Sequence, residues 1–204
     1  MKSLIRSAAA IALAAAAVGG CSLGGLLGGG GKPPLTLLTL TPQAADPGAM
    51  TRTASAGQAI TIGTPALPKE LRTVRVPAQV SPTDVQYVTN LQMVDTPDRL
   101  FQALLAETVR RTTNRVVLDA SITALDPGVV VSGQLQHFGY DAQTAQVVVE
   151  YDGVLSTAGG AEVQTRRFVA RQPADGTAAT VGPALNSAAN QVAAEAAQWI
   201  AGRG

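Results

Sequence analysis

The sequence predicts an α+β fold: a single domain with a mainly antiparallel β-sheet and two α-helices packed on one face. Three observations predict it. Stretches 129–140, 146–155 and 162–172 are rich in strand-forming residues and joined by short loops, which makes neighbouring strands antiparallel. Two other stretches, about 97–113 and 183–201, repeat apolar residues at helical spacing. No internal repeat and no second composition domain interrupts the 204-residue chain.

Taken in order, Leu35 to Leu40 is a short Leu- and Thr-rich strand. Residues 41–57 form a loop, carrying Pro42, Pro47 and Gly48. Strands follow at 58–63 and 70–76, separated by a Pro65-to-Pro68 linker, and a further short strand spans 85–88. The first helix has Thr96 as its N-cap residue, Pro97 at the first helical position and Asp98 at the positive end of the dipole. Leu100, Phe101, Leu104, Leu105, Thr108 and Val109 form its buried stripe, and Arg110 and Arg111 suit its last turns. A strand at 115–118 precedes the ambiguous stretch 119–125 and an Asp126-Pro127-Gly128 turn.

Within the meander, Val147, Val149, Tyr151 and Leu155 share one face of the middle strand, with Gln146, Glu150 and Asp152 opposite. In the third strand the apolar set shifts between Val163 and the Phe168–Ala170 pair, which predicts a bulge or a change of face. The last helix is expected from Pro183 to Ala201. Its packed stripe is Leu185, Ala188, Ala189, Val192, Ala196, Trp199 and Ile200, and its wet side is Asn186, Asn190, Gln191, Glu195 and Gln198.

The chain begins with Lys2 and Arg6, an apolar run of Ala, Ile and Leu, and small residues before Cys21. That is the order of a secretory signal peptide, with an apolar run too short to span a bilayer. Val18-Gly19-Gly20-Cys21 resembles the bacterial lipobox. The resemblance implies cleavage before Cys21, a diacylglyceryl thioether on its sulfur and acylation of its new amine. The bland alternative is a secreted protein with an incidental free cysteine, or a buried core cysteine. Stable anchoring needs two acyl chains or one chain with an added signal, and a mature lipoprotein carries several chains. Ser22 follows the cysteine, and by resemblance to known sorting rules a residue other than Asp there directs export to the outer membrane. The expected organisation is a signal peptide over 1–20, a lipidated Cys21 with a flexible Gly/Pro tether over 21–34, and the α+β domain over 35–204.

Composition excludes several classes. The 15 Lys and Arg include Lys2 and Arg6, so the chain from Cys21 carries 13 basic against 14 acidic residues. No basic face for nucleic acid follows from that balance. Cys21 is the single cysteine, so no disulfide forms once it is acylated. The glycine run ending Gly31-Lys32 is not a phosphate loop: Leu26 stands where the first glycine belongs, and Pro33 replaces the magnesium-binding Ser or Thr.

The order of these pieces resembles one family, the ABC-type transport auxiliary lipoprotein components, the PqiC-like group. Leu35 to Pro42 is similar to the family's early strand. Ile60-Thr61-Ile62-Gly63-Thr64-Pro65-Ala66-Leu67-Pro68 is similar to its next strand, and Asp98 to Glu107 to its first helix. The small-residue helix ending Gln198-Trp199-Ile200 completes the resemblance. The chain departs from the pattern at Leu91-Gln92-Met93-Val94, where members often carry a tryptophan, and in lacking a tyrosine in the first strand. The resemblance implies a periplasmic accessory anchored in the outer membrane. Its partners would be a mammalian-cell-entry (MCE) type substrate-binding protein and the associated permease and ATPase, and its cargo lipids or other hydrophobic compounds.

No catalytic, cofactor or metal site is expected. His137 is the single histidine, and strict alternation puts it on the face of Val131 and Leu135 as a partly buried strand residue. No Gly-x-Ser-x-Gly elbow occurs and no ligand cluster has metal spacing. Asp126, Asp141 and Asp152 are read as turn or cap residues, and the Arg110-Arg111 and Arg166-Arg167 pairs as solvated charges. Two functions remain: a docking accessory of an MCE-type transporter, or a lipoprotein that binds a lipid or small apolar ligand between sheet and helices. An open sheet would also expose edges able to pair with copies of itself or with a partner strand.

Overall fold

The computed structural model describes residues 36–55, 57–118 and 128–202. The expected signal peptide over 1–20, Cys21, the expected tether over 21–34, Asp126 and the stretch 119–125 lie outside them. The described residues form one mixed sheet with two helices, an α+β fold. The strands are β1 (Thr36–Leu38), β2 (Ile60–Ile62), β3 (Arg75–Gln79), β4 (Val85–Met93), β5 (Val117–Leu118), β6 (Val129–Asp141), β7 (Gln146–Thr157) and β8 (Glu162–Pro173). The helices are α1 (Pro97–Thr112) and α2 (Ala178–Ala201).

Strands β6, β7 and β8 form the expected meander, and β7 and β8 pair without a break from Gln146↔Pro173 to Thr157↔Glu162. Asp141 makes the first turn by accepting hydrogen bonds from the Gln143 N–H (2.9 Å) and the Thr144 hydroxyl (2.8 Å). Gly159 and Gly160 make the second with φ of 65° and 95°, a region that favours glycine. The other edge of β6 is shared. Its start pairs with β2 and its end with β3, both parallel, so the sheet forks into a β2–β5 wing and a β3–β4–β1 wing. The parallel ladders are short, and most paired residues are antiparallel.

Two irregularities shape the fork. Pro77 sits in β3 where its register with β4 shifts, so its missing N–H falls where the ladder is already broken. Gly139 of β6 lies directly beneath it, and a Cβ there would collide with the Pro77 carbonyl. Asn90, at φ 58°, lies in β4 within the register shift against β3 and just before Leu91–Met93, the stretch that also pairs in parallel with β1.

Both helices pack on one face of the sheet, against strands and each other. Helix α1 starts at Pro97 and buries Phe101, Leu104, Leu105, Thr108 and Val109, as its periodicity predicts. Helix α2 starts at Ala178, five residues before the expected Pro183. A knot of Asp175, Thr177 and Thr180 opens it: the Asp175 carboxylate accepts from the Thr177 N–H (2.9 Å), the Thr177 hydroxyl (2.7 Å) and the Thr180 hydroxyl. Those bonds hold the Asp175 carboxyl down at about 2. Pro183 is tolerated inside the helix because it faces solvent, where water can serve the carbonyl its ring leaves free.

An aromatic spine crosses the layers. Phe101 of α1 meets Tyr151 of β7 at 5.0 Å between ring centres, Tyr151 meets Phe168 of β8 at 6.3 Å, and Phe168 meets Trp199 of α2 at 5.6 Å. The Tyr151 hydroxyl donates to the Ser132 carbonyl at 2.8 Å, and burial pushes its pKa far above the ordinary phenol value. Val147, Val149 and Leu155 fill the same face, as the alternation predicts.

Candidate functional site

Among the described residues neither α1 nor α2 covers the second face of the sheet, and its polar groups are arranged by one bulge. Leu135 pairs with Tyr151 and His137 with Glu150, so Gln136 is the extra residue in β6. The bulge swaps the faces of everything after it. His137 leaves the side of Val131 and Leu135 and stands on the open face with its side chain 65% exposed. This corrects the partly buried histidine expected from strict alternation. The signal was present in the sequence: the buried set runs Val129, Val131, Leu135 and then Phe138, a change from odd to even numbers. The expected irregularity in β8 is instead absent. Val163 is 57% exposed on the open face of an unbroken strand, while Phe168 and Ala170 lie on the helix face.

Around the bulge the open face carries a chain of charge. The Arg167 guanidinium donates through Nε to Asp152 Oδ1 at 2.6 Å and through Nη2 to Oδ2 at 2.7 Å. Its Nη1 lies 3.1 Å from Glu150 Oε1, and His137 Nδ1 lies 3.5 Å from Glu150 Oε2. Gln136 Nε2 donates to Asp152 Oδ2 at 3.0 Å. Arg167 holds the Asp152 carboxyl below the usual carboxylate range, against the opposing effect of burial. Asp152 therefore belongs to a strand ion-pair network and not to a turn. Arg167 is likewise a paired cation, whereas Arg166 lies over the Phe168 ring at 5.2 Å. Arg110 and Arg111 both pair with Glu107, at 3.5 and 2.8 Å.

Beside this network a solvent-open groove of about 270 Å³ runs along the end of β6 next to β3 and the start of β4, lined by Leu71, Pro77, Val85, Tyr140, Val148 and Arg171 among others. Its walls mix apolar and charged groups of both signs. Among the described residues no cluster of three His, Cys, Asp or Glu side chains could hold a metal ion. The geometry offers recognition by charge and shape.

A second polar feature was not legible. Asn190, expected on the wet side of α2, is 6% exposed. Its Nδ2 donates to the Thr41 carbonyl (2.9 Å), and its Oδ1 accepts from the Gln43 N–H (2.7 Å). Asn186 Oδ1 accepts from the Thr41 N–H at 2.9 Å, and Arg111 Nη1 donates to the Ala44 carbonyl at 2.9 Å. The strap after β1 is thus tied to both helices. The two asparagines one helical turn apart were the available signal, but their partner lies about 145 residues away in sequence.

Cys21 lies outside the described residues. Among the described residues no helix is long and apolar enough to cross a membrane.

Comparison with known proteins adds family and fold. A family model described as ABC-type transport auxiliary lipoprotein component matches residues 38–197. The crystal structure of a Xanthomonas campestris protein of family DUF330 superposes with a TM-score of 0.69 at 16% identity, covering 81% of this chain and 94% of that one. A second crystal structure, of an uncharacterized protein, gives a TM-score of 0.56 at 15% identity over 74% of this chain and 94% of that one. A search of curated proteins finds no match. With the α+β fold in common and the family model running from the last residue of β1 well into α2, this chain belongs to the ABC-type transport auxiliary lipoprotein component family, accessories of ABC-type transport systems in the cell envelope.

Proposed function

We propose that this protein is a non-enzymatic lipoprotein, anchored through acylated Cys21 in the outer membrane and facing the periplasm. It docks the MCE-type periplasmic component of an ABC transporter there, for the movement of lipids or other hydrophobic compounds. One observation favours docking over direct ligand carriage. The space between sheet and helices is filled by the Phe101–Tyr151–Phe168–Trp199 spine and its aliphatic neighbours. A lipid carrier would keep an apolar cavity of roughly 300–1,000 Å³ in that layer. The described groove lies on the opposite face, is open to water and is edged with charge.

The glycine-rich stretch between Cys21 and Pro34 gives the domain reach from the membrane. The test compares wild type with Cys21→Ser in the native envelope. Wild type should fractionate with outer membranes and crosslink to the MCE-type component. Cys21→Ser should remain uncut or soluble and lose that crosslink in the membrane fraction. Mature Cys21→Ser protein in the outer membrane, or wild type with no crosslink to the MCE-type component, would overturn the reading.

A further inference from the structure

We propose that the free edge of β8 is the docking site, and that its occupant is an extended acidic strand of the transporter's periplasmic component, added to the sheet as a further strand. This inference rests on the docking function proposed above.

The two ends of the sheet are treated differently. On one side the terminal strands are β1 and β5, of which three and two residues are described. On the other side β8 runs for twelve residues, about 40 Å of backbone. It pairs with β7 on one side and with no strand on the other among the described residues. Two of the usual defences are absent from it: its register with β7 is unbroken, and its proline, Pro173, stands at the very end. The charged side chains it does carry, mostly arginines, repel a like-charged edge and leave it open to an acidic one. A long, regular, unpaired edge offers alternating N–H and C=O groups to any extended chain.

Charge selects the occupant. Strand β8 contains Arg166, Arg167 and Arg171 against one acid, Glu162. Arg167 is neutralised by Asp152 and Glu150. Arg166 and Arg171 have no carboxylate partner among the described residues. A second copy pairing edge to edge would bring four arginines without a carboxylate partner together against two glutamates from the strands themselves, and like charges across a ladder are destabilising. An acidic strand meets the opposite situation. Cross-strand neighbours share a face, and Arg166 and Arg171, five residues apart, project to opposite faces. The matching strand therefore carries one acid on each face, five residues apart. Between and beside the arginines, half-buried Val169 and exposed Val163 offer apolar contact on the open face.

The experiment uses the full-length lipidated protein in detergent and the purified MCE-type periplasmic component from the same organism as probe. Amide hydrogen exchange should show alternate β8 amides in 162–173 gaining about tenfold or more protection on complex formation. The Arg166→Glu/Arg171→Glu double variant should bind about tenfold or more weakly, while Arg110→Glu on α1 stays within about twofold. Binding without added β8 protection, or binding indifferent to the double charge reversal, overturns the edge as the site and leaves docking intact. Absence of any binding overturns the docking function itself. Protection of β8 in a dimer of the isolated chain would assign the edge to a second copy and also overturn the proposal.

Discussion

Along β7, Val147, Val149, Tyr151 and Leu155 face the helices, while Val148, Glu150, Asp152 and Val154 face the open side. The same strand thus supplies a dry interior and a polar surface at alternate residues. The interior face is held by area and shape: aromatic rings in contact and aliphatic groups with almost no exposure. The open face is held by charge pairs, whose attraction is weakened by nearby water. The comparison teaches where stability and recognition reside. Changes toward the helices should alter folding, and changes toward the open side or the β8 edge should alter binding.

The largest effect should come from breaking the interior. Phe168→Ala removes the ring that joins Tyr151 to Trp199, and should destabilise the fold by about 3–5 kcal/mol. Val163→Ala, on the same strand but exposed on the other face, should stay within about 0.5 kcal/mol. Equilibrium denaturation of the pair measures the contrast, and equal midpoints would show that the two faces do not differ as described.

An intermediate effect is expected at Asn190. Asn190→Ala leaves the Gln43 N–H and the Thr41 carbonyl without their side-chain partners and should cost about 1–3 kcal/mol. Limited proteolysis should then cut within 41–55 sooner than in wild type. Unchanged cleavage would mean that the strap is held by its other contacts.

The smallest effect belongs to the open face. Because Arg167 depresses the Asp152 pKa, that carboxylate adds stability above its unfolded value, near ~3.9, and loses it as pH falls through the lower folded value. Arg167→Gln should raise the Asp152 titration toward the ordinary range and flatten that part of the acid unfolding curve. Asp175, held at about 2, obeys the same sign over the window from ~4 down to about 2, and should be untouched by Arg167→Gln. Carboxyl resonances followed by NMR against pH separate the two groups, and an unmoved Asp152 titration in Arg167→Gln would deny the pairing.

Much of the fold was legible because its signals are local. The meander announces itself by alternation and tight turns, and α1 by its proline, acid and stripe. Three features depart from the sequence pattern, each for its own reason. The shift in His137 depends on one bulge residue, which reverses every later side chain in β6. The early start of α2 depends on the Asp175–Thr177–Thr180 knot, where Pro183 drew attention to itself as an initiator although an exposed proline is tolerated inside. Asn190 looks polar and therefore wet, yet it is buried because a strap from the far end of the chain needs its amide.

By itself, the sequence determined the α+β class, the two helices, the buried face of β7 and the order of pieces that marks the family. Each follows from periods of two or about 3.6 residues and from turn chemistry within a few positions. Only the tertiary structure decided that the sheet forks at β6, that His137 joins Glu150 and Arg167 on an open face, and that β8, among the described residues, ends the sheet with an unpaired edge. Those features depend on which distant strands meet and in what register. Backbone pairing carries little side-chain identity, so the alternative registers differ by contacts that come into being only when the whole sheet assembles.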